Sequence, residues 1–220
     1  MTKERINALS DGVFAILLTI LILEFKPETI HSGSLAHVLG QQVPLFLMYA
    51  MSYFYVGTSW LFHHDYFLSV KRTNRTLNIL NLGLLFTVTL VNYAMVLLIE
   101  ALTNGNQADI QIAFIVYDVV AILISGSFLV VYRFLESNPE LRNLNGIEQH
   151  YNRIRMDPAR SVCIYLLSIG ASFFSNVLAG ALLISGVVFH FVAYLRFSKV
   201  IHIGVKKQAL NKRWGHCQAN

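Results

Sequence analysis

Apolar residues run along this chain in long blocks rather than in alternation, and the blocks have the length of a bilayer crossing. A hydrocarbon core about 30 Å thick needs about 20 apolar residues in a helix. On that ruler six spans are expected, at 6–24, 43–62, 77–99, 110–132, 159–175 and 178–197. Residues 161–195 form a single apolar stretch too long for one crossing, and Ser175-Asn176 is the expected place for its turn. The predicted fold class is all-α: a polytopic membrane protein with six transmembrane helices.

The cations test that count. Arg and Lys collect on the cytoplasmic side of short loops, and an even number of crossings puts the N-terminus, the 63–76 loop, the 133–158 loop and the C-terminus on one side. Of the 17 Lys and Arg residues only Lys26 then falls on the other side. An odd number would scatter them, so both termini are expected to be cytoplasmic. The six-helix transmembrane repeat is expected over 1–200, followed by a basic cytoplasmic tail over 201–220 that lies along anionic headgroups or frays. The loop at 133–158, with Glu136, Glu140, Arg142 and Glu148, reads as a polar connector. Span 1 follows Lys3 and Arg5 as a signal peptide would, but no small-x-small cleavage site follows and Asp11 is foreign to such a core.

Composition agrees: 55% of residues are hydrophobic and 13% charged, which is not an ordinary soluble domain. A net charge of +5 would suggest nucleic acid in a soluble protein, but here the cations cluster by side, so no nucleic-acid partner is expected. Cys163 and Cys217 have the spacing of neither a metal site nor a disulfide framework.

Three places carry candidate chemistry. In span 1, Gly12, Ile16, Thr19, Ile20 and Leu23 share one stripe at 100° per residue, with Ala15 beside it. Such a stripe suits close helix packing or the lining of a pore, where apolar rings gate by dewetting. At its threshold Asp11 is costly unless partnered, since an ionised group taken from water loses several kcal/mol, roughly. At the end of span 2, Trp60, His63 and His64 reach the same depth as Arg5, Ser10 and Asp11. Adjacent histidines diverge by about 100° on a helix and make a poor metal pair, so no zinc site is expected. Inside the spans lie Asn92, Asp118, Ser161, Ser168, Ser172 and Asn176. Asp118 is expected to bond across helices to Asn92 or Tyr93. No nucleophile triad, phosphate loop or carboxylate pair stands out, and no enzyme is expected.

At these residues the chain resembles the transmembrane protein 175 family of potassium-permeable channels. The likeness rests on Arg5, on Ser10-Asp11-Gly12-Val13-Phe14-Ala15-Ile16 with Thr19 and Leu23, and on Trp60-x-x-His63-His64; it extends to Asn81-Leu82 and Val88-Thr89-Leu90. Leu9 replaces a usual Phe, and Asn92-Tyr93 follow where Pro is common; neither is expected to touch the pore stripe.

The resemblance implies a passive, potassium-selective cation channel without a Thr-Val-Gly-Tyr-Gly filter. It implies a constriction at Ile16, Ile20 and Leu23 with a polar layer at Thr19, and a network of Arg5, Ser10, Asp11, Trp60 and His63 that holds the pore helix. It also implies a homotetramer in a prokaryotic plasma membrane, with lipid and permeant potassium as its other partners and with no cofactor. The rival expectation is a proton-conducting or proton-coupled transporter, since Asp11, His63, His64 and Asp118 can carry protons.

Overall fold

The computed structural model describes residues 2–24, 35–142 and 157–217, with backbone only from residue 200 onward. Lys26, Glu148, Arg153 and Arg155 lie outside the described residues. Those residues form six α-helices: α1 (Lys3–Ile20, continued by a 3₁₀ turn Leu21–Glu24), α2 (Leu35–Leu68), α3 (Arg75–Asn104), α4 (Gln107–Ser137), α5 (Asp157–Ser172) and α6 (Asn176–Cys217). Five of them are long and apolar enough to cross a membrane. The exception is α5, whose 16 residues rise about 24 Å, short of a bilayer core.

Every helix except α1 and α5 outruns its expected span at both ends, because hydropathy marks only the greasy part of a helix. Thus α2 begins eight residues before Val43 and carries Pro44 inside it, leaving the Gly40 carbonyl without its usual amide partner. Polar residues set the ends. The Asn74 side chain accepts from Leu77 N–H at 2.8 Å to start α3, and Asn106 accepts from Ala108 N–H at 3.0 Å to start α4. Between α3 and α4, Gly105 takes φ +70°, the left-handed conformation that ends helices and that side chains resist. The α5–α6 turn occupies 173–175, one residue earlier than expected, closed by Ser175 N–H to Ala171 O at 2.9 Å. α6 continues unbroken past residue 200 to Cys217, so the expected tail begins inside a helix.

Two sets of contacts tie the bundle's ends. At one end the Lys3 ammonium donates to Val70 O at 2.7 Å and Lys71 N–H to Leu141 O at 2.7 Å, joining the start of α1 to the segments after α2 and α4. At the far end Asn176 Nδ2 donates to the backbone and side-chain oxygens of Gln107, both at 2.9 Å, joining the starts of α6 and α4. Between them the core holds Phe14, Tyr55, Phe67, Leu84, Met95, Leu98, Ile124 and Leu135.

Gly186 lets α6 approach α5: a Cβ there would collide with the Tyr165 ring, whereas one at Gly126 meets nothing within 4 Å. Gly186→Ala is therefore expected to lower stability by about 1–3 kcal/mol through overpacking, and Gly126→Ala to leave it level or higher. Thermal unfolding of the detergent-solubilised protein reads both.

Candidate functional site

The first helix has two faces. Ile6, Ser10, Phe14, Leu17 and Leu21 recur every three or four residues and are buried in the subunit. On the other side Gly12, Ile16, Thr19 and Leu23 are exposed, Ile16 at 60% and Leu23 at 69%. A Cβ on Gly12 would meet nothing within 4 Å, so that side is open to close approach. Ile20 departs from the expected stripe. It is half-buried and packs on the core.

Ile16 and Ile20 also wall a crevice of about 550 Å³ between α1 and α3, together with Thr89, Asn92, Tyr93 and Glu24. Asn92 and Tyr93 therefore do border the stripe, contrary to expectation. The cause is that α1 lies against α3 along this edge, so residues one turn beyond Thr89 come level with its last turns.

Behind the free face a hydrogen-bonded network fixes α1. Ser10 Oγ donates to Ile6 O at 2.9 Å, which uses its only proton. Asn81 of α3 must then present its amide hydrogens to Ser10, at 3.1 Å, and its carbonyl oxygen to His63 Nε2, at 2.7 Å. His63 consequently donates through Nε2. Ser10, Asn81 and His63 are all at least 98% buried. The imidazole stacks on Phe67 at 4.3 Å and 16° and leans on Phe14 at 5.7 Å. Beside this triad, Trp60 Nε1 donates to Asp11 Oδ1 at 2.8 Å, a charge-assisted bond at the rim. The topology thus brings Ser10, Asp11, Trp60 and His63 together. Arg5 is not among them: it is exposed and has no ion pair among the described residues. His64 points outward next to Trp60, at 5.9 Å.

Thr19, on the free face, donates to Ile16 O at 2.8 Å and is also 3.1 Å from Ala15 O. Its proton is spent on its own helix, so the hydroxyl oxygen turns acceptor lone pairs outward.

Asp118 lies elsewhere and without the expected partners. It is fully buried among α2, α4 and α5, where Ser168 and the phenols of Tyr55, Tyr117 and Tyr165 are its polar neighbours. Tyr117 OH in turn pairs with Ser52 Oγ at 2.9 Å. Asn92 and Tyr93 cannot serve it, because Asn92 faces Glu24 of α1 and Tyr93 is 63% exposed. Among the described residues no group of three His, Cys, Asp or Glu side chains is placed to hold a metal.

Two residues were given no role in the site by the sequence. Asn81 is the hinge of the network, and its signal was its place in the Asn81-Leu82 part of the resemblance. Glu24 was the last residue of span 1, a carboxylate followed only by Lys26 and Glu28 before the next span.

The profile of the family described as endosomal/lysosomal potassium channel TMEM175 matches residues 5–91. A protein of Streptomyces collinus named potassium channel B446_29190 is 33% identical over 174 residues, covering 78% of this chain and 82% of that one. A mouse protein named endosomal/lysosomal proton channel TMEM175 is 40% identical over 91 residues, covering 37% of this chain and 18% of its own length. The crystal structure of a lysosomal potassium-selective channel TMEM175 homolog from Chamaesiphon minutus superposes with a TM-score of 0.74 at 25% identity, over 87% of this chain and 97% of that one.

The network carries unequal weights. Asn81→Leu strands a buried hydroxyl oxygen and a buried imidazole N–H, each costing about 1–3 kcal/mol, whereas Trp60→Phe removes one rim bond. Denaturant unfolding is expected to show the larger loss for Asn81→Leu, with Ser10→Ala and Asn81→Leu together costing less than their sum.

Proposed function

The chain belongs to the TMEM175 family, and from that premise we infer that it conducts potassium ions passively through a pore lined by α1 from four copies of the chain. The family is one of ion channels, and the protein is a membrane protein. The observation that carries the reading is the division of α1. One face is locked to α2 and α3 by Ser10, Asn81, His63 and the Trp60–Asp11 bond, and the other leaves Gly12, Ile16, Thr19 and Leu23 exposed on the subunit. Four such helices around an axis would bring Gly12, Ile16, Thr19 and Leu23 to a common conduit, with six crossings per chain and both termini on the cytoplasmic side of a prokaryotic plasma membrane.

In that arrangement Ile16 and Leu23 form the greasy necks. A ring of branched alkyl side chains holds water poorly and supplies no carbonyls to replace an ion's hydration shell, so it restricts flow by narrowing and dewetting. Thr19 supplies the polar layer between them: four hydroxyl oxygens with their protons turned back to the helix can face a cation. Ile20, covered on one side by the core, contributes less than the other three. The network of Ser10, Asp11, Trp60 and His63 does not meet the ion; it holds the pore helix at its angle. Arg5, exposed in the single subunit, is left to reach lipid headgroups or a neighbouring copy.

Proton conduction is the second reading, favoured by the name of the mouse relative. Against it, His63 is occupied by Asn81, and Asp118 lies apart from that network, with Ser168, Tyr55, Tyr117 and Tyr165 as its polar neighbours.

Ile16→Asn is expected to wet the neck and raise flux, with loss of discrimination against sodium. Thr19→Ala is expected to weaken discrimination with less effect on total flux. Reversal potentials in reconstituted bilayers test both, and they must follow the potassium gradient rather than the pH gradient.

A further inference from the structure

We propose that Glu24 is a cation-collecting carboxylate at the far mouth of the conduit, positioned by Asn92, so that four copies make a charged vestibule outside the greasy necks; this rests on the pore reading above. Glu24 closes the 3₁₀ turn that extends α1, one residue after the exposed Leu23 and four after Ile20. It lies in the crevice between α1 and α3, half-buried. There Asn92 Nδ2 stands 3.5 Å from Glu24 Oε1, the outer limit of a hydrogen bond. The amide therefore orients the carboxylate without neutralising it. Among the described residues Glu24 has no ion pair.

Two further observations point to a cation as the occupant. Apart from Glu24 the crevice is lined by uncharged side chains, mostly the apolar Val13, Ile16, Leu17, Ile20 and Val96, so nothing there offsets its charge. And α3 rises about 18 Å beyond Asn92 to Asn104, so the helix walls one side of the approach to the carboxylate. Low-dielectric walls around like charges focus the field and raise the local cation concentration, and rings of carboxylates serve cation pores in this way. The ligand class is a monovalent cation that keeps its water and is held near the mouth by the charge of the carboxylate. The vestibule acts on supply to the pore and not on the choice made at Thr19. Lys26, two residues on, is the nearest cation in sequence and lies outside the described residues; a positive charge there would oppose the collecting effect.

The test is single-channel conductance of the full-length protein in planar bilayers, measured across a range of potassium chloride concentrations. An exposed charge is screened over about 10 Å at 0.1 M salt and about 3 Å at 1 M. Glu24→Gln is expected to lower conductance by about threefold or more at the lowest salt and to converge on the parent at the highest. Its reversal potential should be unchanged, Glu24→Asp should restore the low-salt current, and Lys26→Gln should raise it. Size-exclusion elution matching the parent shows that the variant assembles. Equal conductance for Glu24→Gln and parent at all salt concentrations overturns the proposal. If Ile16→Asn still alters permeation in that case, the pore reading stands and only the vestibule falls; if neither variant changes conductance, both fall.

Discussion

A serine hydroxyl has one proton to give, and where Ser10 gives it decides the orientation of the first helix. With that proton on the Ile6 carbonyl, the oxygen can only accept, so Asn81 must offer its amide hydrogens and His63 must donate in turn. Each group is buried, and each would be expensive if left unpaired. Rotating α1 by one residue would swing Ser10 out of reach of α3 and bring the exposed face against the core. The network therefore acts as a register pin in a medium where apolar side chains alone discriminate poorly between rotations, because lipid is as greasy as the helices it surrounds.

The same pin explains why the opposite side of α1 can be left bare. Small Gly12 and Ala15, branched Ile16 and Leu23, and the self-satisfied Thr19 make a surface that needs no polar partner from its own subunit. Trp60 and Asp11 hold the rim between the two faces. A helix fixed behind and free in front suits a lining shared with other copies. The remaining helices form the frame: α3 and α4 joined by the Gly105 turn, and α5 and α6 closed on each other through Gly186.

Much of this architecture can be read from residue order, and the exceptions have physical causes. The stripe at Gly12, Ile16, Thr19 and Leu23 follows from helical periodicity, but Ile20 on the same arc is half-covered by its own subunit, which periodicity does not report. Helix ends run past the expected spans at α2, α3, α4 and α6, because a hydropathy window ends where the grease ends while hydrogen bonding continues. Depth along the bundle places Ser10, Asp11, Trp60 and His63 at one level, yet depth could not choose between His63 and His64, nor reveal Asn81 as the link. Asp118 failed for the opposite reason. Its depth was legible, but its azimuth on α4 turns it toward α2 and α5 instead of α3, and so away from Asn92.

The central claim is that α1 presents Ile16, Thr19 and Leu23 to a water-filled axis shared among copies. Cysteines placed one at a time at residues 12 to 23, in a chain with Cys163 and Cys217 replaced by serine, can be challenged with a membrane-impermeant thiol reagent during potassium flux. The account predicts block at 16, 19 and 23 and none at 14 or 17. Block at 14 and 17, or labelling of 16, 19 and 23 only by a lipid-soluble reagent with flux unchanged, would contradict it.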